Sequence, residues 1–214
     1  MAEAYPPKFN FQYSEPFVPG RLITDNILVA YETLHGMKKK RWGKIGQVVI
    51  KLDMSKVYDR VEWDYLKRVM EKMGFHAKWV QLIMACITTT HFSVIVNGNP
   101  TGYILPSRGK RQGDPLSLVL FLFCAEGLIA SLRRAETDGI IRGVVASKGG
   151  PCISHLLFAN DSLLFCHASV EECQQVNSLL NLYEDASGQK VNTDKTSLFF
   201  SSNIGFKTQE SINR

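Results

Sequence analysis

Gln47-Val48-Val49-Ile50-Lys51-Leu52-Asp53 is the segment on which the reading of this chain turns. Apolar and β-branched residues fill it and one aspartate stands at its exit, the pattern of a buried strand that delivers a carboxylate to its end. A second apolar segment, Ile153 to Cys166, reads as a hairpin with Asn160-Asp161 at its tip. A carboxylate at a strand end is rigidly held and faces solvent, as a divalent metal site requires. Two such groups on adjacent strands suit the ions that neutralise attacking and leaving oxygens in phosphoryl transfer. Spacing alone leaves a plainer reading open. Asp53 would then cap a turn, and Asn160-Asp161 would be there because both residues tolerate positive φ.

Working outward, Leu22 to Met37 predicts a helix with Ile23, Ile27, Ala30, Tyr31 and Leu34 on its apolar face. The basic run Lys38 to Lys44, carrying Trp42, predicts a loop. Trp63, Leu66, Met70 and Met73 recur at helical spacing and Gly74 is placed to end that helix; a second helix runs from Lys78 to Ile87. Phe92 to Val96, Asn97-Gly98 and Thr101 to Leu105 spell a hairpin. In Ser107 to Ser117, a glycine-bearing loop, Asp114 is placed to cap an apolar helix that Pro115 begins. Ser169 and Glu172 form a capping-box pattern for a helix through Ala186, which Gly188 ends, and Ser197 to Phe200 is a last short strand. The interleaving of hairpins and helices predicts an α+β fold: a small, largely antiparallel sheet backed by helices. Residues 1–14 read as an irregular arm, 15–203 as the folded domain, and 204–214 as a polar tail without pattern.

The bulk numbers bound the partners. With 214 residues the chain is long enough for a core of its own, and its net charge of +5 leans toward a polyanion without deciding the matter. Cys86, Cys124, Cys152, Cys166 and Cys173 are odd in number and lack metal-ligand spacing, which points to reduced thiols and an intracellular setting, nucleus or cytoplasm. No signal sequence is evident, and the longest apolar run, Leu118 to Ala125, falls short of the ~20 residues of a membrane helix, so no membrane association is expected.

The wording of the motifs goes further than their spacing. IKLDMSKVYDRVEW (Ile50 to Trp63) resembles the first palm motif of plant-type LINE (non-LTR) reverse transcriptases, usually written KLDMSKAYDRVEW. PSRGKRQGDPLS (Pro106 to Ser117), followed by LFLFCAEGL, resembles the second motif, and HLLFANDSLLF (His155 to Phe165) the hairpin box usually written FADD. YEDASGQKVNTDKTSLFFS (Tyr183 to Ser201) resembles the fourth, and FVPGRLITDNILVAYE (Phe17 to Glu32) the segment joining fingers to palm. The resemblance implies a polymerase palm with incomplete fingers and no thumb. It implies an RNA-directed DNA polymerase acting on an RNA template, a DNA primer and deoxynucleotide triphosphates, with two Mg²⁺ ions.

Residue by residue, Asp53 and Asp161 match metal ligands and Lys195 matches the lysine held to protonate the leaving pyrophosphate. Tyr58 matches the aromatic gate that excludes a ribose 2′-OH. Gln112 and Gly113 match the loop lying against the incoming nucleotide, where glycine lets the backbone approach closely. Arg108, Lys110 and Arg111 are candidate phosphate contacts with a solvated loop as the alternative; Lys110 stands where the family usually has leucine. The run Lys38 to Lys44 is a candidate grip on a template backbone, with Trp42 as a stacking surface.

Three departures bear on activity. Asn160 replaces the first aspartate of the FADD box, removing a negative charge from a site for two dications, a change worth several kcal/mol at close range. No match to the family's RPISL-type fingers segment precedes Phe17, and with the sequence ending soon after the fourth motif, neither a thumb nor an endonuclease domain ahead of the palm is expected. Val57 for alanine and Leu118 for proline are smaller deviations. The expectation is an impaired polymerase with weakened Mg²⁺ binding. The alternative is a non-catalytic nucleic-acid-binding remnant.

Overall fold

A computed structural model describes residues 23–145, 149–158 and 161–213. In chain order the elements are α1 (Ile23–Lys39), β1 (Gln47–Ser55), α2 (Trp63–Lys72), α3 (Ala77–Thr88), β2 (Phe92–Val96), β3 (Asn99–Ile104), α4 (Pro115–Thr137), β4 (Val144–Val145), β5 (Cys152–Ile153), β6 (His155–Phe158), β7 (Asp161–His167), α5 (Val170–Ser187), β8 (Lys190–Val191), β9 (Ser197–Phe200) and α6 (Phe206–Asn213). The fold is α+β with antiparallel pairing, as expected. The arm expected over 1–14 lies outside the described residues. The 204–214 segment, which shows no pattern in sequence, carries α6.

Two compact units share the chain. One comprises Asn10–Ser55, Leu128–Glu184 and Val191–Arg214, taken over their described residues. Its centre is β1, paired along one side with β7 and along its N-terminal half with β9, in a sheet ordered β6-β7-β1-β8. Strand alternation divides the β1–β7 pair into two faces. Val48, Ile50 and Leu52, with Leu164 and Cys166 opposite, are buried on one. On the other face Val49 and Phe165 are buried, and Lys51, Leu163, Asp53 and Asp161 follow toward the open end. Helix α1 covers the closed end of that second face, where Ala30, Met37, Val49, Val144, Ile153, Leu156 and Phe165 form one cluster.

The buried stripe of α1 is Asn26, Ala30, Thr33 and Met37, rotated from the stripe the periodicity suggests; Ile27 and Tyr31 are exposed. Asn26 turns inward and donates to the Leu157 carbonyl at 3.4 Å, and the inward Thr33 satisfies its hydroxyl within the helix, on the Val29 carbonyl at 2.7 Å. The capping box at α5 is half formed. Ser169 Oγ accepts the Glu172 N–H at 3.1 Å, but the Glu172 carboxylate accepts from the N–H groups of Arg142 (2.5 Å) and His167 (3.2 Å).

The second unit comprises Lys56–Gly127 and Asp185–Lys190, with Val61, Leu66, Met70, Val80, Ile83, Ile87, Leu120 and Cys124 as its core. Gly74 ends α2 at φ 83°, and Asp114 Oδ1 accepts the Leu116 N–H at 2.9 Å to cap α4. The β2–β3 ribbon turns at Asn97 and Gly98, both at positive φ (49° and 81°), as a tight right-twisted hairpin requires. Every residue of both strands is exposed, including Phe92, Ile95 and Tyr103. Helix α4 meets the length and composition of a membrane span, although no single uninterrupted apolar run does. Its Leu120, Cys124, Leu128, Ile129 and Leu132 are buried in the protein, the pattern of a core helix.

Phe165→Ala empties one of the largest fully buried sites, at 1 % exposure, and is expected to cost about 3–5 kcal/mol in urea unfolding. A loss under about 1 kcal/mol would contradict the core assignment. A second prediction concerns His155, whose imidazole burial and then the Arg133 guanidinium push down to about 4. Below the unfolded value of 6.5 the unfolded chain binds the proton first, so stability falls as pH drops from 6.5 toward 4, by about 3 kcal/mol. His155→Gln should flatten melting temperature against pH across that window. An unchanged slope would assign the acid sensitivity elsewhere.

Candidate active site

Asp53 and Asp161 are direct partners across the β1–β7 pair. Opposed residues in an antiparallel pair bring their Cβ atoms to roughly 4.5–5.5 Å, so the two carboxylates share one patch of surface. Both are half-buried on the face that α1 leaves open. Like charges directly opposed across a sheet are destabilising, and a cation between them relieves the repulsion. Lys51, two residues before Asp53 and therefore on the same face, supplies part of that relief: its Nζ lies 3.8 Å from Asp161 Oδ1. With about half of each side chain exposed, this ion pair is worth at most about 1 kcal/mol.

The pair fits a hard dication of a particular kind. Among the described residues no group of three or more His, Cys, Asp or Glu side chains forms a ready-made metal cage. Magnesium commonly takes one or two carboxylates and completes its shell with water and substrate phosphates. Two rigid carboxylates on an open face match that demand better than that of a structural metal. Asn160 lies outside the described residues.

The turn that carries Lys195 is tied to the main chain of Asp53. The Asp53 carbonyl accepts the Asn192 N–H at 2.8 Å, and the Asn192 carbonyl in turn accepts the N–H groups of Lys195 (3.2 Å) and Thr196 (2.9 Å). The Lys195 side chain is exposed. Beside the patch runs a groove of about 440 Å³ lined by Tyr31, Leu34, His35, Lys38, Val49, Lys51, Leu163, Ser197 and Phe199. Trp42, in the basic segment after α1, is 87 % exposed.

The other expected site residues belong to the second unit. Beyond β1 the chain turns at Lys56, a non-glycine residue at φ 49°, and Asp59 N–H closes the turn on the Lys56 carbonyl at 3.0 Å. Tyr58 in this turn is half-buried, its ring 6.1 Å from that of Phe121. The loop before α4 is fastened to it: Gly109 N–H reaches the Val61 carbonyl at 2.8 Å, Lys110 N–H the Tyr58 carbonyl at 2.6 Å, and Trp63 Nε1 the Gly109 carbonyl at 2.7 Å. Gly109 sits at φ 86°, and a Cβ there would come within 2.6 Å of the Asp59 carbonyl oxygen. Gln112 and Gly113 are exposed, with Gly113 at φ 84° facing open space.

One lysine departs from the sequence expectation, and another, Lys51, carries no expectation there. Arg108, Lys110 and Arg111 read alike as candidate phosphate contacts, but Lys110 is 6 % exposed and buried among aromatics. Arg108 stays at the surface and pairs with Glu62 at 3.2 Å. Lys51 was legible as a site residue from strand alternation alone, since i and i+2 share a face. No local pattern marks Lys110 as buried; the one signal is that it fills a leucine position in the motif it resembles.

The family model described as "Reverse transcriptase (RNA-dependent DNA polymerase)" matches residues 9–212. A Pol polyprotein from the type-1 retrotransposable element R2 of Popillia japonica is 32% identical over 146 residues, which is 68% of this chain and 22% of that protein. An uncharacterized mitochondrial protein of Arabidopsis thaliana is 52% identical over 68 residues, 32% of this chain and 56% of its own length. The chain therefore spans about half of one relative and under a quarter of the other. Among solved structures, telomerase from Candida tropicalis in complex with a fragment of telomeric RNA superposes with a TM-score of 0.60. At 15% identity it covers 83% of this chain and 29% of the telomerase chain, a likeness of fold alone. The matched span, the relatives and the fold agree, and this chain belongs to the reverse transcriptase family as a domain of the non-LTR retrotransposon type.

Proposed function

We propose that this domain carries the nucleotidyl-transfer site of an RNA-directed DNA polymerase, in a form whose metal site has been weakened. The observation that carries the reading is the register of Asp53 against Asp161 on the open face of the sheet. Magnesium bound by this pair and by substrate phosphates would neutralise charge on the attacking and leaving oxygens. The two aspartates hold the position of that charge to the precision of a paired strand. Lys195, on a turn tied to the Asp53 main chain, is the proposed donor of a proton to departing pyrophosphate. Tyr58 reads the sugar of the incoming deoxynucleotide, and Gln112, Gly113 and Arg108 form the loop beside it. RNA template and DNA primer are the proposed polymer partners, and the exposed Trp42 within Lys38 to Lys44 supports contact with a nucleic-acid strand.

Asn160 is the proposed point of impairment. An amide is nearly isosteric with the carboxylate it replaces but brings no negative charge, and a deficit of several kcal/mol corresponds to several orders of magnitude in rate. Lys51 also competes with any cation for Asp161.

Primer extension on an RNA template tests this reading, with Mg²⁺ binding followed by calorimetry as a second readout. Asn160→Asp is expected to raise the extension rate at least ~100-fold and tighten Mg²⁺. Asp53→Asn should weaken Mg²⁺ at least ~10-fold, and Lys51→Met should tighten it. Extension by the native chain that is indifferent to Asp53→Asn would sink the proposal. Salt-sensitive duplex binding with no extension even after Asn160→Asp would favour the second reading, a non-catalytic nucleic-acid-binding remnant.

A further inference from the structure

Lys110 is a cation in a leucine's place. Main-chain hydrogen bonds from Gly109 and Lys110 to Val61 and Tyr58 draw its loop inward, so the side chain enters the protein rather than solvent. Its ammonium ends 5.4 Å from the centroid of the Tyr58 ring and 5.2 Å from that of Phe121. Nζ is buried and, among the described residues, has no hydrogen-bond acceptor. A charge taken from water without an acceptor is costly, and the faces of two aromatic rings are the compensation this site offers. The attraction is mutual. The ring of Tyr58 borders both the cation and the Phe121 ring, 6.1 Å away and tilted, with its own carbonyl bonded to the residue that bears the cation.

We propose that Lys110 is a positioning residue for Tyr58: its buried ammonium fixes the orientation of the ring that reads the nucleotide sugar, and thereby contributes to discrimination between deoxyribose and ribose. The discrimination half rests on the gate role proposed above for Tyr58; the clamp on the ring does not. Burial pushes the Lys110 amine down to about 8, so the grip is present below that pH and released above it. The Cys124 thiol on α4 is pushed by burial up to about 11, and stays neutral where Lys110 titrates. Asp59, Arg108, Arg111, Asp114 and Cys86 line the adjoining cavity of about 180 Å³ together with Lys110.

The test places 4-fluorophenylalanine at position 58 of the full chain and follows its ¹⁹F resonance with pH. The resonance should shift with a midpoint near 8 in the otherwise native chain. Lys110→Leu should abolish the shift. Lys110→Arg, charged throughout, should give a flat profile near the low-pH position. A titration that survives Lys110→Leu overturns the clamp. Thermal melts guard against misfolding. Between 8 and 10.5 the folded amine sheds its proton while the unfolded one keeps it, so native stability rises with pH across that window. Lys110→Leu should therefore melt above the native chain at pH 7 by more than at pH 10, and a pH-independent difference counts against the buried charge. Finally, fluorescent dATP and ATP analogues are compared in Mg²⁺. Lys110→Leu should narrow the deoxy preference about 3-fold or more, and Lys110→Arg should retain it. A native chain with no sugar preference overturns the gate reading and the discrimination half together, while the ¹⁹F profile still decides the clamp.

Discussion

The register of β1 against β7 is the constraint from which the site follows. Side chains on paired strands alternate with a period of two, so a slip of one residue would send Asp53 and Asp161 to opposite faces and bury a carboxylate among Ile50, Leu52 and Leu164. What prevents the slip is the packing at the other end of the same strands. Val49 and Phe165 are opposed and buried under α1, and Val48 and Cys166 are opposed and fully buried on the reverse face. The core thus places the carboxylates, and the strand between the two ends transmits the register.

Much of this was legible in the sequence because it is local. A strand with an aspartate at its exit, an Asn-Gly hairpin, a proline-initiated helix behind Asp114 and glycine helix ends each arise from backbone preferences that neighbours in the chain impose. The exceptions are equally physical. The inward face of α1 differs from the periodic one: hydrophobic periodicity assigns Asn26 and Thr33 to solvent, whereas Asn26 finds the Leu157 carbonyl, Thr33 bonds its own helix, and both go in. Glu172 completes a capping pattern on paper, but its carboxylate is claimed by the N–H groups of Arg142 and His167, one of them 30 residues away in sequence. Helix α6 shows too little apolar periodicity to be marked, and no residue in it is buried.

Of the site itself, the sequence could name types but not environments. Arg108, Lys110 and Arg111 are indistinguishable as a basic triplet, yet one is paired with Glu62 and another is enclosed by aromatic rings. The difference comes from two backbone hydrogen bonds and from Gly109, whose conformation and lack of a Cβ let the loop lie against the Asp59 carbonyl. A single glycine thus decides whether the next lysine is a surface charge or an interior one.

The β2–β3 ribbon carries its own consequence. Phe92, Val94, Ile95, Val96, Tyr103 and Ile104 are all exposed, and among the described residues neither strand pairs with anything but the other. A ribbon of that composition offers two free rows of peptide groups beside greasy side chains, the arrangement from which intermolecular sheets nucleate. These eleven strand residues are therefore where self-association of the isolated domain is expected to begin. Salt that screens the charge will favour self-association, while lysine or proline introduced along either edge will keep the molecules apart.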